Sequence, residues 1–396
     1  FPTRRSSDLS YMSKGYESRR MAVDYAVPLV TNVKNAKLLV EAIARNISLE
    51  VSNRDAQTSH GTAILPGLIN ITSFATSFDD FEQTTKESLA AGFTFNAFLP
   101  HTQAGASVTD YRSLIDAIDA VGASAYTDYS VSIAASETNS QSVSDAADNA
   151  GSLFLPFNDF ANSKVSALTA QFSSWPNNKP IITDAKTTDL ASVLLLASLY
   201  NRSIHITGVS SKEDLDLIKM AKEKTLQVTC DVAVHSLFLS KDELDYPFLP
   251  NKQDQEYLWE NLKDVDCFSI GVLPYLIAKA SGTEIAPGMG IKEAVPLLLT
   301  AVKAGKLTIG DIVSKFHDNP AKIFNLPKQD AQVVLDLDRF ATVEPVYPEF
   351  SKLRLRGAVE RVSFHNETVV LDGSVLSQIA LGKNEVVPRS KIGRAH

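Results

Sequence analysis

The sequence is poor in the residues that build disulfide frameworks and zinc clusters. Only two of its 396 residues are cysteines, Cys230 and Cys267, and no Cys-x-x-Cys pair occurs. A disulfide scaffold and a zinc ribbon are therefore excluded. The sequence also has no apolar run near the roughly 18 residues that a membrane-spanning helix needs. These absences are typical of a protein of the reducing cytoplasm that has no membrane partner.

Positive charge is also in short supply. Lysine and arginine together number 38 against 46 aspartates and glutamates, which gives a formal net charge of −8. A chain of this charge is not expected to bind nucleic acid or an anionic membrane surface. Hydrophobic residues still make up 44% of the chain, enough for a globular core. The length allows roughly two or three domains, or one barrel with attached segments.

The two ends of the sequence lack the periodicity of folded elements. Residues 1–9 read FPTRRSSDL and residues 391–396 read KIGRAH, and both resemble translated sequencing-adapter DNA. We predict that both are artefacts, and that residues 381–390 are a linker. A frayed natural terminus is the alternative interpretation.

Short apolar runs alternate with amphipathic stretches from residue 61 to residue 327. The predicted strands are 63–71, 93–99, 129–134, 153–157, 180–183, 203–207, 227–232 and 266–270. The predicted helices are 80–91, 111–121, 142–150, 163–172, 189–200, 211–224, 253–262, 291–304 and 308–324. Such alternation predicts an α/β fold, a (β/α)8 barrel of the TIM type over residues 61–327.

The period changes to two after residue 327. Residues 333–337, 353–356, 359–364 and 368–371 alternate like antiparallel strands, with Asp372-Gly373 as a turn. We predict a small β-domain from residues 328–380, joined by a strand from residues 47–60. Residues 10–46 hold one predicted strand and one helix, too little to bury a core. They are predicted to be the tail of another domain.

Several barrel motifs resemble the dihydroorotases of the amidohydrolase superfamily. The first strand of that family reads Leu-Pro-Gly-Leu-Ile-Asp and is followed by His-x-His, whereas residues 65–74 here read LPGLINITSF. The resemblance continues at LPHT (99–102), VTCDVA (228–233) and NP (319–320). It is strongest to the dihydroorotase-like domain of the multifunctional pyrimidine-biosynthesis proteins, of fungal type, and residues 10–46 resemble the end of a methylglyoxal-synthase-like domain. The resemblance implies covalently linked carbamoyl-phosphate synthetase and aspartate transcarbamoylase domains, and we expect a homo-oligomer.

The resemblance also shows which positions match the functional residues of active dihydroorotases. The metal-binding His-x-His pair, bridging lysine, two further histidines and aspartate fall on Thr72, Phe74, Phe154, Asp184, Gly208 and Gly271. The substrate-binding positions fall on Thr76, His101 and Tyr275. Of the metal-binding positions only Asp184 keeps a side chain that could bind a metal, and one carboxylate does not make a site. We therefore predict no metal, no other cofactor and no catalytic residue, and a structural linker or oligomerisation scaffold.

Two alternatives stay open. The first is an amidohydrolase with a rebuilt metal site in an open polar cavity, lined by His101, Asp184, His205 and His235. The second is a regulatory module that binds a pyrimidine in a residual cavity. A more modest expectation for Asp184 is a structural ion pair with Lys186, two residues further along the chain.

Overall fold

The computed structural model describes residues 57–59, 61–75, 77–102, 105–106, 108–157, 165–341 and 345–386. The chain divides into two units, residues 1–53 and 54–396, and every described residue belongs to the second. The predicted domain tail at 10–46, the predicted strand segment at 47–60 apart from residues 57–59, and both predicted artefact ends lie outside the described residues, as does Thr76.

Strands and helices alternate along most of the second unit. The strands are β1 (Gln57–Ser59), β2 (Thr62–Pro66), β3 (Leu68–Ser73), β4 (Phe93–Phe98), β5 (His101–Thr102), β6 (Gly105–Ala106), β7 (Asp128–Val131), β8 (Ile133–Ala134), β9 (Leu153–Leu155), β10 (Ile181–Thr183), β11 (Ile204–Ile206), β12 (Val228–Ala233), β13 (Cys267–Ser269), β14 (Ala331–Phe340), β15 (Arg356–Phe364), β16 (Glu367–Leu371) and β17 (Ser374–Val375). The α-helices are Phe81–Ala90, Tyr111–Ser124, Ser140–Ala146, Val165–Ser174, Thr187–Leu199, Lys212–Glu223, Lys252–Glu260, Leu273–Ser281, Ile291–Lys303, Ile309–Val313 and Asn319–Ile323.

The parallel strands run in chain order. Strands β3, β4 and β7 form one sheet, and β8 through β13 form a second. Only Ser132 separates β7 from β8, so the parallel strands take eight successive positions, as the alternation predicts. The carboxyl ends of parallel strands lie on one side of such a fold, and the loops at that side carry the chemistry in α/β barrels. The positions predicted to match metal-binding and substrate-binding residues lie in or just after these strands.

The step from β2 to β3 corrects the sequence prediction. Residues 63–71 were predicted as one strand, but β2 pairs with β14 in a separate antiparallel sheet, and β3 starts the parallel set after Gly67. A Cβ atom on Gly67 would lie 2.1 Å from Thr94 Oγ1. Glycine lets the backbone pass this close. The backbone also changes partner there: the Gly67 N–H donates to the Ala331 carbonyl oxygen and the Leu68 N–H to the Gly92 carbonyl oxygen.

The small sheet follows the order β1-β2-β14-β15-β16-β17. The predicted Asp372-Gly373 turn is confirmed: both residues have positive φ, 49° and 72°, and they join β16 to β17. The predicted strand at residues 353–356 is wrong. A 3-10 helix, Pro348–Leu353, ends at the first residue of this segment, Arg354 has a left-handed backbone with φ 48°, and β15 begins only at Arg356. Proline favours the first turn of a helix, because its fixed φ suits that position and its missing N–H is not needed there.

The predicted helix at residues 308–324 is interrupted in its middle. It consists of Ile309–Val313, a π-helical turn at Ser314–Asp318 and Asn319–Ile323. The π turn buries Lys315, whose ammonium donates to the Val265 carbonyl oxygen. No helix in the described part of the chain is long and apolar enough to cross a membrane.

Both cysteines are fully buried on neighbouring strands, and neither forms a disulfide. Burial raises the pKa of Cys230 to about 12 and that of Cys267 well above its usual value. Because the thiolate is the reactive form, we expect neither thiol to react with a disulfide reagent at neutral pH until the protein unfolds. A colorimetric thiol assay with and without denaturant checks this. Reaction of either cysteine in the native protein at the rate of free cysteine would contradict the buried arrangement.

Candidate functional site

Two aromatic rings meet beyond the ends of the first and last parallel strands. Phe74, just after β3, is 6% exposed, and its ring contacts that of Tyr275 edge to face with centroids 4.6 Å apart. The Tyr275 hydroxyl accepts a hydrogen bond from the Gly288 backbone N–H at 3.1 Å. Burial raises the pKa of Tyr275 to about 12. At these two positions, which are predicted to match a metal ligand and a substrate contact, two aromatic rings thus pack against each other.

Phe154, at the position predicted to match the bridging lysine, is buried in an apolar cluster. The other buried members of the cluster are Ile69 and Ile71 of β3, Phe95 and Ala97 of β4, Ile182 of β10, Cys267 of β13, and Phe324. The ring of Phe154 is 4% exposed. A lysine at this position would have its side chain among these apolar residues.

Asp184 and Lys186 do not form the predicted ion pair. Asp184 Oδ1 accepts a hydrogen bond from the Phe157 backbone N–H at 2.7 Å, which fixes the loop after β9. The Lys186 ammonium instead donates to the Gly208 carbonyl oxygen at 2.5 Å. Burial lowers the pKa of Lys186, although Asp214, Asp184 and Asp231 oppose this. The prediction was wrong because each group finds a backbone partner on a different loop.

A buried hydrogen-bond network joins three neighbouring strands. His205 Nε2 lies 2.9 Å from Asp231 Oδ2, and its Nδ1 lies 2.8 Å from Thr229 Oγ1. Asp231 Oδ1 also accepts from the Ser269 hydroxyl and from the Gly208 backbone N–H at 2.9 Å. Burial by itself raises the pKa of Asp231, but these hydrogen bonds outweigh it and the pKa is lowered. The carboxylate is therefore an ionised structural acceptor.

Two of the matched ligand positions are glycines with left-handed backbone. Gly208 has φ +65° and Gly271 has φ +61°. A Cβ atom on Gly208 would meet nothing within 4 Å, and one on Gly271 would lie 3.7 Å from Thr72 Oγ1. Space alone therefore does not exclude a larger residue at either position. The backbone does oppose it, because side chains other than glycine are strained at such φ values.

His235 forms a second buried pair, away from the first. Its Nε2 lies 2.6 Å from Glu293 Oε1, and both residues are buried. The other oxygen of Glu293 accepts from the Val346 backbone N–H at 3.0 Å. His235, just after β12, thereby links the end of that strand to the helix Ile291–Lys303 and to the segment around Val346. Sequence reasoning missed Glu293, although an acidic residue among Ile291, Ala294 and Val295 was a usable signal.

The remaining predicted positions add little polar chemistry. Thr72 Oγ1 and Ser73 Oγ are buried and make no hydrogen bond within the described part of the chain. His101 opens the short β5–β6 hairpin, and its side chain lies outside the described residues, as does all of Thr76. Hydroxyl groups are poor ligands for transition metals compared with imidazole, thiolate and carboxylate.

The candidate ligands of a rebuilt site are engaged in separate places. His205 faces Asp231, His235 faces Glu293, and Asp184 holds a backbone N–H. Across the described residues, no group of three His, Cys, Asp or Glu side chains converges in a way that could hold a metal ion. The arrangement can therefore position strands and loops, but we find no set of groups in it that would activate water.

The chain is similar in sequence and in fold to known proteins. The chain is 50% identical over 389 residues to the multifunctional protein URA2 of Saccharomyces cerevisiae, covering 96% of this chain but only 17% of that protein. No family model matches the chain. The L-hydantoinase of Arthrobacter aurescens shares the fold alone, with a TM-score of 0.70 at 16% identity over 86% of this chain and 93% of that chain.

A solved structure also matches the chain. The inactive dihydroorotase-like domain of the Chaetomium thermophilum CAD-like multifunctional protein has a TM-score of 0.78 and 42% identity. The match covers 82% of this chain and 99% of that domain, so nearly the whole domain is represented here. The chain therefore belongs to the dihydroorotase-like domains of the multifunctional pyrimidine-biosynthesis proteins, which have the amidohydrolase fold.

Proposed function

We propose that this domain is catalytically inactive and serves as a structural linker and oligomerisation scaffold within a multifunctional protein of pyrimidine biosynthesis. The observation that carries the proposal is Phe154, which stands at the position of the bridging lysine and is enclosed by an apolar cluster. Metal-dependent hydrolysis of a cyclic amide needs a metal-bound hydroxide, because water at neutral pH is a poor nucleophile. Apolar packing around Phe154 and the left-handed backbone of Gly208 and Gly271 disfavour a metal site of this kind.

The same proposal includes the finer architecture. Residues 61–327 would form a closed (β/α)8 barrel, with residues 47–60 and 328–380 as the small β-domain and residues 381–390 as a linker. Contacts between the first and last parallel strands support closure: Ile69 and Ile71 of β3 share a cluster with Cys267 of β13, and Gly271 faces Thr72. We further propose that residues 10–46 are the tail of a methylglyoxal-synthase-like domain.

The proposed partners come from the relatives, which are multifunctional proteins. The shared segment spans only 17% of their length, so they are about six times longer than it. We propose that covalently linked carbamoyl-phosphate synthetase and aspartate transcarbamoylase domains flank the domain in a cytoplasmic homo-oligomer. The family match supports this, because an inactive domain of the same kind occurs in a CAD-like protein.

The proposal predicts neither tightly bound metal nor turnover. The purified full chain should contain far less than one zinc per molecule by elemental analysis, and should not interconvert dihydroorotate and carbamoyl aspartate above background. An active dihydroorotase prepared and assayed in parallel is the control. Stoichiometric zinc together with turnover would contradict the proposal and favour a rebuilt amidohydrolase site. A thermal shift with dihydroorotate or carbamoyl aspartate, without turnover, would instead favour a pyrimidine-binding module.

A further inference from the structure

The segment that follows the small sheet returns to the parallel strands and pairs with one of them. Tyr129 of β7 donates its backbone N–H to the Lys383 carbonyl oxygen at 2.9 Å and accepts from the Glu385 N–H at 3.0 Å. Tyr129 and Asn384 thereby form a parallel bridge. We call residues 382–386 the strap.

The strap occupies an edge that the parallel strands leave open. Along one side, β7 pairs with β4 from Asp128 to Val131. On the other side β9 pairs only with β8, from Ile133 onward. The first half of β7 therefore has backbone groups that no neighbouring strand reaches, and the strap supplies their partners. A segment that adds to the edge of a sheet in this way is held there by main-chain hydrogen bonds.

Glycine at position 382 is required by the closeness of the strap to the barrel backbone. The Gly382 N–H donates to the Ala125 carbonyl oxygen at 2.9 Å. A Cβ atom on Gly382 would lie 2.0 Å from the Thr127 carbonyl oxygen, which is backbone and cannot move aside as a flexible side chain could. Because Gly382 is not among the residues of positive φ, alanine is excluded here by contact and not by backbone strain.

A buried carboxylate joins the strap to the small sheet as well. Asp128 Oδ1 accepts from the Lys383 backbone N–H at 2.9 Å and lies 3.0 Å from His365 Nε2. His365 lies in the tight turn between β15 and β16, where it and Asn366 have positive φ. The Asp128 side chain on β7 thus contacts both the strap and the turn of the small sheet, and it holds these three segments together.

We propose that the strap is an anchor that fixes where the chain leaves the domain, so that the following segment starts from a defined position beside β7. The inference deepens the linker role proposed above, because a spacer transmits a fixed geometry only if its exit is attached to its rigid part. Docking of the strap does not depend on inactivity, since none of the contacts given above involves the described metal-binding or substrate-binding positions.

Hydrogen exchange on the full chain tests the docking. The amides of Gly382, Lys383 and Glu385, together with Tyr129, should be protected in the wild type. Gly382→Ala should lower that protection at least about tenfold while leaving β10 to β12 unchanged, because local opening can occur far below the global free energy of unfolding. Gly310→Ala is the matched control: this exposed glycine also lacks positive φ, and an added Cβ would have only an ordinary 3.5 Å contact with Thr308 Oγ1.

Spin-label distances test the anchoring itself. Ser173→Cys and Val386→Cys supply two label sites, and the native cysteines are buried. The distance distribution should be narrow in this pair and clearly broader when Gly382→Ala is added. Unprotected strap amides in the wild type, or an unchanged distribution in the Gly382→Ala protein, would overturn the proposal. Neither result depends on the zinc and turnover assays, so the anchor and the inactive scaffold can fail separately.

Discussion

Replacing Phe154 by lysine, the residue that bridges the metals in active dihydroorotases, is expected to destabilise the domain and not to restore a site. The new ammonium would replace a ring that is 4% exposed and belongs to an apolar cluster with residues such as Ile71, Phe95 and Ile182. Leaving an uncompensated charge buried costs roughly 3–5 kcal/mol. That is a large share of the approximately 5–15 kcal/mol by which a native domain is stable.

Chemical denaturation of Phe154→Lys and Phe154→Leu separates the charge from the loss of the ring. Leucine keeps the position apolar and changes its volume modestly, so a cost of about 1–2 kcal/mol is expected. The lysine variant should unfold at a much lower denaturant concentration, or fail to accumulate as folded protein. If the two variants had equal free energies of unfolding, the surroundings of Phe154 would have to be hydrated, and the main support for inactivity would disappear.

The glycines at the matched ligand positions raise a separate obstacle to restoration. Histidine at position 208 and aspartate at position 271 would have to adopt φ values near those of Gly208 and Gly271, +65° and +61°. Such conformations cost a non-glycine residue of order 1–3 kcal/mol each unless the loops rearrange. The Gly208 loop is also tied by its N–H to Asp231 and by its carbonyl to Lys186. Exchanging the ligands alone therefore does not recover the geometry of an active relative.

The parallel strands could be predicted because their signals are local. Apolar runs such as those around Phe95 and Ile182 have the length of buried strands, and the amphipathic stretches between them have the period of helices. The break at Gly67 could not be predicted this way, because the backbone partners on its two sides, Ala331 and Gly92, come from different parts of the chain. The strand predicted at residues 353–356 failed similarly, since alternation over four residues does not exclude a 3-10 helix that begins at Pro348.

The candidate site could also be predicted only where its signals are local in sequence. Motif resemblance predicts that Phe74, Phe154 and Gly208 match functional positions of the family. It could not reveal the partners that these loops have acquired, because they come from distant parts of the chain. Glu293 reaches His235 from 58 residues away in sequence. Such pairings depend on the completed fold.

The second large effect is expected at Asp231, whose carboxylate organises three strands. Alanine at this position would leave the His205 ring, the Ser269 hydroxyl and the Gly208 N–H buried without their acceptor. Breaking a buried charged network by removing one partner costs roughly 3–5 kcal/mol. Asparagine retains one acceptor oxygen and similar volume, so Asp231→Asn should cost less, about 1–3 kcal/mol.

The pH dependence of stability identifies the ionised form of Asp231 as the source of this effect. Its pKa is lowered in the folded protein, because the hydrogen bonds from His205, Ser269 and Gly208 outweigh the opposing effect of burial. A carboxyl group with a lowered folded pKa stabilises the fold above its unfolded value, about 3.9, and that stabilisation is lost as the pH falls below it toward the folded value. The wild type should therefore lose stability below about pH 4 more steeply than Asp231→Asn. Chemical denaturation of both proteins at a series of pH values from neutral to acid measures this difference in the free energy of unfolding. If the two proteins lost stability in parallel as the pH fell, the Asp231 carboxylate would not be the ionised acceptor that joins these strands.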